Sequence, residues 1–297
     1  MADQGGRGDT TKRPSIRVTA ALTALTLVAF AGNSLLCRLA LGDATIDAVG
    51  FTTVRLLTGA LTLLALVGAR DRRLVQRQHG NWVSALVLFA YAIAFSYAYL
   101  SLSAGTGALI LFGVVQATMI LAGLRAGERP SRVEWAGLFV ALAGVVWLVF
   151  PGLTAPSPVG TGLMALAGVG WGVYSLRGRG ARDPLAETAG NFLRSVPMVA
   201  VMALLAVDRI QLTPRGFVLA AASGALASGV GYVIWYAALR GLTATRAAIV
   251  QLAVPVLAAL GGVVFLAETI TTRLVVAAVL ILGGVGAASA SRRSAAD

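Results

Sequence analysis

The residues that could bind a small solute are aromatic side chains inside long apolar stretches. Tyr91, Phe95 and Tyr99 recur at every fourth position, so on a helix all three lie on one face. Tyr232 and Tyr236 repeat this spacing further along the chain. Rings in this pattern either bind the apolar part of a solute or pack between helices and at the membrane interface.

Uncharged polar side chains accompany the rings. Gln116 and Gln251 lie near the middle of their apolar stretches, where a polar group needs a protein or water partner. A cavity would satisfy both glutamines, and an interhelical hydrogen bond is the alternative. We predict that the substrate-binding residues are Asn33, Tyr91, Phe95, Tyr99, Gln116, Trp171, Tyr174, Tyr232, Trp235, Tyr236 and Gln251.

Two arginines, Arg55 and Arg194, also fall inside apolar stretches. A charge near the bilayer centre costs about 2.5–3.5 kcal/mol on insertion scales, so such a residue is a candidate for function. Either arginine could bind a substrate carboxylate or phosphate, or could tether helix ends by pairing with carbonyl groups. Because the two lie at equivalent places in the two halves of the chain, the structural role is favoured.

Four residues are predicted to bend or soften helices. Pro255 has no amide hydrogen, so the carbonyl of Gln251 loses its helical partner. Pro197 leaves the carbonyl of Leu193 without a partner in the same way. Gly107 and Gly113 are placed to soften the helix that carries Gln116. We predict hinge or gating roles for these positions.

The composition indicates an integral membrane protein. Hydrophobic residues make up 58% of the 297 residues and charged residues only 12%, too few to cover water-soluble domains. The single Cys37 and single His79 exclude a disulfide framework and a zinc cluster built from these residues. No grouping of acid, base and nucleophile and no Walker loop is present, so we predict no enzyme, no metal and no cofactor.

The chain contains ten apolar runs, each long enough to cross a hydrocarbon core about 30 Å thick. We therefore predict an all-α polytopic fold. The predicted spans are 16–41, 46–69, 82–102, 105–124, 131–150, 159–177, 184–207, 214–239, 242–266 and 270–290.

The distribution of Lys and Arg predicts the orientation. Of the 24 such residues, 18 fall in the two tails and in every second connection, whereas four fall in the alternate connections and two in spans. Connections rich in Lys and Arg stay in the cytoplasm, so both termini are predicted to be cytoplasmic. This topology accounts for the net charge of +12, which is therefore no indication of a nucleic-acid partner.

The chain also repeats itself. A shift of 139 residues carries Arg38 onto Arg177, Arg55 onto Arg194 and Tyr97 onto Tyr236. The predicted organisation is a tail 1–15, a first five-helix repeat 16–150, a linker 151–158, a second repeat 159–290 and a tail 291–297. Because five is odd, the second repeat must cross the bilayer upside down, which is an architecture of transporters.

The ten helices, the arginine in Phe51-Thr52-Thr53-Val54-Arg55-Leu56 with its counterpart Arg194, and the junctions at Glu128 and Glu268 resemble the drug/metabolite transporter superfamily. Within it the chain is similar to the EamA-type ten-helix exporters, and most to the YddG-type amino acid exporters. This resemblance implies helices around a central cavity and the export of aromatic and other amino acids.

The predicted function is export of small amphipathic metabolites, above all amino acids, across the bacterial inner membrane by alternating access. No Asp or Glu lies in the middle of a span, which favours an uncoupled facilitator over a proton-driven pump. An organophosphate or nucleotide-sugar carrier, a drug exporter and a membrane sensor or scaffold without flux remain alternatives. The predicted partners are a small-molecule substrate and the lipid bilayer, with a monomer as a plausible state.

Overall fold

A computed structural model describes residues 14–71, 79–102, 104–127, 129–149 and 157–266, together with helical stretches of one to three residues between 272 and 287. Its helices are α1 Ile16–Gly42, α2 Ala48–Asp71, α3 Trp82–Ala98, α4 Ala104–Arg125, α5 Arg132–Val149, α6 Pro158–Gly178, α7 Pro184–Leu205, α8 Pro214–Leu239, α9 Ala244–Gln251 and α10 Ala253–Leu266. The all-α prediction is confirmed. The tenth predicted span, 270–290, lies largely outside the described residues.

Six stretches of helix are long and apolar enough to cross a bilayer within the described residues, and α3 and the greater part of α4 are shorter apolar helices. Their starts are set locally by capping side chains. Asn81, Asp183 and Thr213 each accept a hydrogen bond from the amide three residues later, which satisfies one of the free amides at a helix start. Pro184 and Pro214 occupy first helical positions, where a missing amide hydrogen costs nothing.

The contacts between helices follow the predicted repeat. Helix α3 packs closely against α6, and α8 packs closely against α1. In the predicted repeat α8 is the counterpart of α3 and α6 is the counterpart of α1, so the two contacts are equivalent. The helices α2 and α7 correspond to each other in the two repeats, and they also pack together. The contact pattern is therefore what a two-fold arrangement of five-helix units produces.

The helices α2 and α7 run in opposite directions. Arg70, at the end of α2, bonds both carboxylate oxygens of Asp183 at the start of α7, at 2.9 and 2.5 Å. At the other end, the carboxylate of Asp47 before α2 accepts a 2.7 Å hydrogen bond from the amide of Gln211 after α7. Equivalent helices that run antiparallel are the mark of an inverted repeat.

Connections rich in arginine meet at one end of the helix bundle. The amide of Gly80 donates to Glu187 at 3.0 Å, and Arg177 donates to Ser84 and Asn81 at 2.8 and 2.9 Å. The start of α5 and the start of α9 are joined at 3.4 Å by Glu134 and Arg246. We call this the arginine-rich end.

Candidate functional site

A small central cavity lies among α1, α3, α4, α6 and α8. Its volume is about 10 Å³, which is room for about one water molecule. The lining side chains are mostly aromatic, with two polar groups from α1. They are Phe30, Asn33, Ser34, Tyr91, Phe95, Leu111, Phe112, Trp171 and Tyr232.

Five of the eleven predicted binding residues line this cavity, namely Asn33, Tyr91, Phe95, Trp171 and Tyr232. The other six are also buried but lie around the cavity. The rings of Tyr174, Trp235 and Tyr236 lie towards the arginine-rich end. Tyr99 packs against Phe95 with 4.8 Å between ring centres, and Gln116 and Gln251 bond to neighbouring helices.

Arg55 lies beside the cavity with 1% of its surface exposed. Its Nε donates to the Ser228 hydroxyl at 2.8 Å, and its Nη2 donates to the hydroxyls of Tyr232 and Tyr91 at 2.7 and 3.1 Å. The guanidinium carbon is 5.3 Å from the ring centres of both Tyr91 and Phe95. Arg55 thus bonds hydroxyl groups and faces rings, instead of the carbonyl groups suggested by its sequence context.

The charge of Arg55 is incompletely satisfied. Its Nη1 is buried without a hydrogen-bond partner, and Arg55 forms no ion pair with Asp or Glu in the part of the chain that the structure describes. Leaving a buried charged donor unsatisfied is costly. A small anion that reached Nη1 would relieve this cost.

Ser228 reaches Arg55 because α8 changes its winding. Residues Ser223–Val230 form a π-helix inside α8, and π segments are rare and frequently found at functional sites. Within it, Gly224 packs directly on the carbonyl oxygen of Arg55 and the hydroxyl of Thr58, where a Cβ would overlap both. The Ser223 hydroxyl also donates to Asn33 at 2.6 Å, so the segment contacts both α1 and α2.

The two glutamines make interhelical hydrogen bonds. Gln116 donates to the carbonyl of Ala248 on α9, and Gln251 accepts from the indole of Trp171 at 2.8 Å. Neither lines the cavity in this conformation. The Oε1 of Gln116 is nevertheless buried without a hydrogen-bond partner among the described residues, so an acceptor is left over next to α9.

Arg194 lies away from the cavity. Its Nη1 donates to the carbonyl of His79 at 2.6 Å and to that of Gly190 at 3.0 Å. It therefore ties the α2–α3 connection to α7. The two arginines that correspond in the repeat thus have different surroundings.

The predicted hinge positions differ in their surroundings. The helical run is interrupted at Leu252, between α9 and α10, three residues before Pro255. By contrast α7 continues through Pro197. Gly107 packs against Tyr99, with a Cβ position only 2.6 Å from its ring, whereas Gly113 has open space around it. A role in motion stays a prediction for all four.

Sequence reasoning did not select Phe30, Phe112 or Ser228. Phe30 packs edge-on against Trp171 at 5.0 Å and Trp235 at 5.7 Å between ring centres. A phenylalanine in an apolar run carries no distinguishing signal. The small residues on both sides of Leu226, in Ser223-Gly224-Ala225 and Ala227-Ser228-Gly229, are a local sign of a close helix contact. Among the described residues no cluster of His, Cys, Asp and Glu could hold a metal ion.

Comparison with known proteins places the fold and the family. A chain of known crystal structure superimposes with a TM-score of 0.72 over 91% of this chain and 97% of its own, at 22% identity. An uncharacterized protein of Pseudomonas aeruginosa is 51% identical over 93% of this chain and 96% of its own. The threonine/homoserine exporter RhtA of Salmonella typhimurium is 27% identical over 76% of each chain.

The sequence profile of the EamA-like transporter family matches twice, over residues 18–150 and again over 159–290. The two matches fall on the two predicted repeats. With the α-helical fold and its apolar spans, this double match assigns the protein: it is a multi-pass membrane protein that belongs to the EamA-like transporter family.

Proposed function

We propose that this transporter exports amino acids, or zwitterionic metabolites of similar size, and that Arg55 receives the substrate carboxylate. The observation that carries the proposal is the guanidinium of Arg55, which is buried, bonded to three hydroxyl groups and left with one free Nη1. Hydrogen bonds to a charged group contribute about 1.5–3 kcal/mol. A carboxylate would supply both the missing acceptor and the missing counter-charge.

The remaining surroundings suit the rest of such a molecule. Aromatic rings such as Phe95 and Trp171, which line the cavity beside Arg55, would cover its apolar part. The RhtA relative is named as an exporter of threonine and homoserine, both of which are amino acids. Aromatic amino acids are further candidates because the site is lined with rings.

The described conformation is closed around Arg55. A cavity of about 10 Å³ does not admit an amino acid, and the Nη1 of Arg55 has no contact with solvent. Transport by alternating access requires that the two repeats open this site first to one side and then to the other. Substrate binding would favour the opened state by pairing the free donor of Arg55.

We assign the arginine-rich end to the cytoplasm of a bacterial cell, since such connections are retained on that side. Both termini then face the cytoplasm and the chain lies in the inner membrane. Because no carboxylate lies in the middle of a span, flux would follow the substrate gradient without proton coupling.

Purified protein in liposomes loaded with labelled threonine, homoserine or phenylalanine tests the proposal. We expect efflux that is independent of an imposed pH gradient and competed by amino acids but not by amino acid amides, which lack the carboxylate. Arg55→Gln should slow efflux about 10- to 150-fold, the equivalent of 1.5–3 kcal/mol. Arg55→Lys should retain part of it, because a lysine keeps the charge without the planar fork.

The matched control is Arg194→Gln, which removes the same side chain at the equivalent position in the other repeat. It should lower thermal stability without changing the preference for a carboxylate. Competition by organophosphates in place of amino acids would identify a phosphate carrier. Efflux of cationic drugs alone would identify a drug exporter, and the absence of any flux from folded protein would favour a sensor or scaffold.

A further inference from the structure

A second, larger cavity opens between α1 and α9 at the arginine-rich end. We call it the α1/α9 groove, and its walls include Thr19, Thr23 and Leu27 of α1, Gly241 after α8, and Arg246 and Val250 of α9. Its volume is about 360 Å³, which lies within the range of small-molecule sites. The groove is therefore large enough for an amino acid, whereas the central cavity is not.

The groove and the central cavity lie one after the other along the same face of α1. Thr19, Thr23 and Leu27 line the groove, and Phe30 and Ser34 line the central cavity. These positions follow each other at intervals of three or four residues, which is one side of a helix. At 1.5 Å per residue, Leu27 and Ser34 are only about 10 Å apart along the axis.

Phe30 stands at the point where the groove ends and the central cavity begins. It is 6% exposed, and its ring packs edge-on against Trp171 and Trp235 and lies 6.1 Å from that of Tyr232. A solute that followed this face of α1 inward would meet the ring of Phe30 before it reached Arg55.

The backbone of α1 has little freedom near this point. A Cβ at Gly231 of α8 would lie 3.0 Å from the Cβ of Ala29, and a Cβ at Gly241 would overlap the side chain of Thr19. Helix α1 therefore packs closely against α8 at Ala29 and against the α8–α9 connection at Thr19. The Phe30 side chain is therefore the part of this barrier that could move while the backbone of α1 stays in place.

Arg246 supplies charge to the groove. Its Nε donates to Glu134 at 3.4 Å, and its Nη2 is buried without a hydrogen-bond partner among the described residues. Arg246 and Arg55 therefore each keep one buried Nη without a partner, and that of Arg246 lies beneath the groove wall, where a turn of the side chain would bring it to a solute in the groove. Both match the carboxylate of one substrate.

We propose that the α1/α9 groove is the access vestibule for substrate, that Arg246 binds its carboxylate first, and that Phe30 is the gate to the central site. The proposal rests on the function proposed above, because it assumes a carboxylate substrate. It adds a second binding station and a named barrier between the two stations.

Cysteine labelling tests the vestibule without relying on transport. Cys37 is the one cysteine of the chain and is buried, so Cys37→Ala provides a clean background. In it, Thr23→Cys should react with an anionic methanethiosulfonate, and threonine or phenylalanine should slow this reaction at least fivefold. Arg246→Gln should abolish the protection. Val18→Cys, at the start of α1 and exposed (48%) but not part of the groove wall, is the control and should react without protection.

The gate is tested with a cysteine at Ser34, which lies one helical turn beyond Phe30 on α1. Ser34→Cys should react slowly while Phe30 is present, and Phe30→Ala should raise its rate at least tenfold, with Phe30→Leu between the two. An unchanged rate in folded Phe30→Ala and Phe30→Leu protein would overturn the gate.

Several outcomes separate this proposal from the previous one. Protection of Thr23→Cys by vesicles of phosphatidylglycerol, without any protection by amino acids, would identify the groove as a lipid site and overturn the vestibule. Efflux that depends on Arg55 but shows no protection at Thr23→Cys would leave the proposed function standing and reject the vestibule. A faster reaction of Ser34→Cys in Phe30→Ala without any amino acid efflux would support the gate and reject the proposed function.

Discussion

Arg55 is a buried charge at the centre of a hydrogen-bond network. Its three hydrogen bonds reach α3 and two turns of α8, so one guanidinium joins helices from both repeats. Hydroxyl groups stabilise the charge but do not neutralise it. The arginine is therefore a structural tie that keeps one donor, Nη1, without a partner, and its role in substrate binding is what the efflux of Arg55→Gln tests.

The hydroxyl of Tyr232 makes the shorter of the two tyrosine bonds to Arg55, at 2.7 Å against 3.1 Å for Tyr91. Tyr232→Phe should therefore lower stability by about 1.5–3 kcal/mol, the worth of a hydrogen bond to a charged group, and Tyr91→Phe by less. Thermal unfolding of the purified protein in detergent measures both. Tyr97→Phe, whose ring is 42% exposed, is the control. A melting temperature of Tyr232→Phe equal to that of the control would contradict this account of Arg55.

At the scale of the element, the helices could be predicted from the sequence because their determinants are local. Apolar length places the spans, and caps such as Asn81 and Asp183 fix where α3 and α7 begin. The π segment of α8 could not be predicted, since its geometry depends on the contact of Gly224 with α2. For the same reason the partners of Arg55 and the position of Phe30 became visible only in three dimensions.

The close contact of α8 with α2 can be tested at Gly224. Gly224→Ala places a methyl group against the carbonyl of Arg55 and the hydroxyl of Thr58, so overpacking should cost about 1–3 kcal/mol. Gly113→Ala, on α4 with open space around it, should instead be neutral or stabilising by up to about 1 kcal/mol. Thermal unfolding of the two variants measures both effects. A slower efflux in stable Gly113→Ala protein would support the hinge predicted there, and a harmless Gly224→Ala would refute the close contact.

At the scale of the whole molecule, hydrogen bonds join the two repeats at both ends, between Arg70 and Asp183 at one end and between Gln211 and Asp47 at the other. The Arg70 guanidinium, hydrogen-bonded to both oxygens of the carboxylate, holds the pKa of Asp183 below its usual range. A lowered pKa means that the stabilisation is complete above the unfolded value of about 3.9 and is lost as the pH falls through the folded value. Because the pair is partly exposed, at 42% and 29%, it contributes only about 0.2–1 kcal/mol.

Asp183→Asn isolates this charge, because asparagine keeps the helix cap while it removes the carboxylate. The variant should melt below the natural protein at pH 7, and the difference should shrink as the pH falls below about 4. Thermal unfolding between pH 3 and 7 measures this. A difference that persists at pH 3 would show that the cap or the packing is responsible, and not the ion pair.

The inversion of the two repeats underlies every functional step, because two antiparallel halves around one cavity can open it to either side. The connection after α6 and the connection after α7 should then face opposite compartments. In the Cys37→Ala background, Arg179→Cys should react with a membrane-impermeant maleimide only in inside-out vesicles. Gln211→Cys, whose amide meets Asp47 at the opposite end, should react only in intact cells with a permeable outer membrane. If both cysteines reacted from the same side, α7 would not cross the membrane, and a shared cavity beside Arg55 would have no means of alternating.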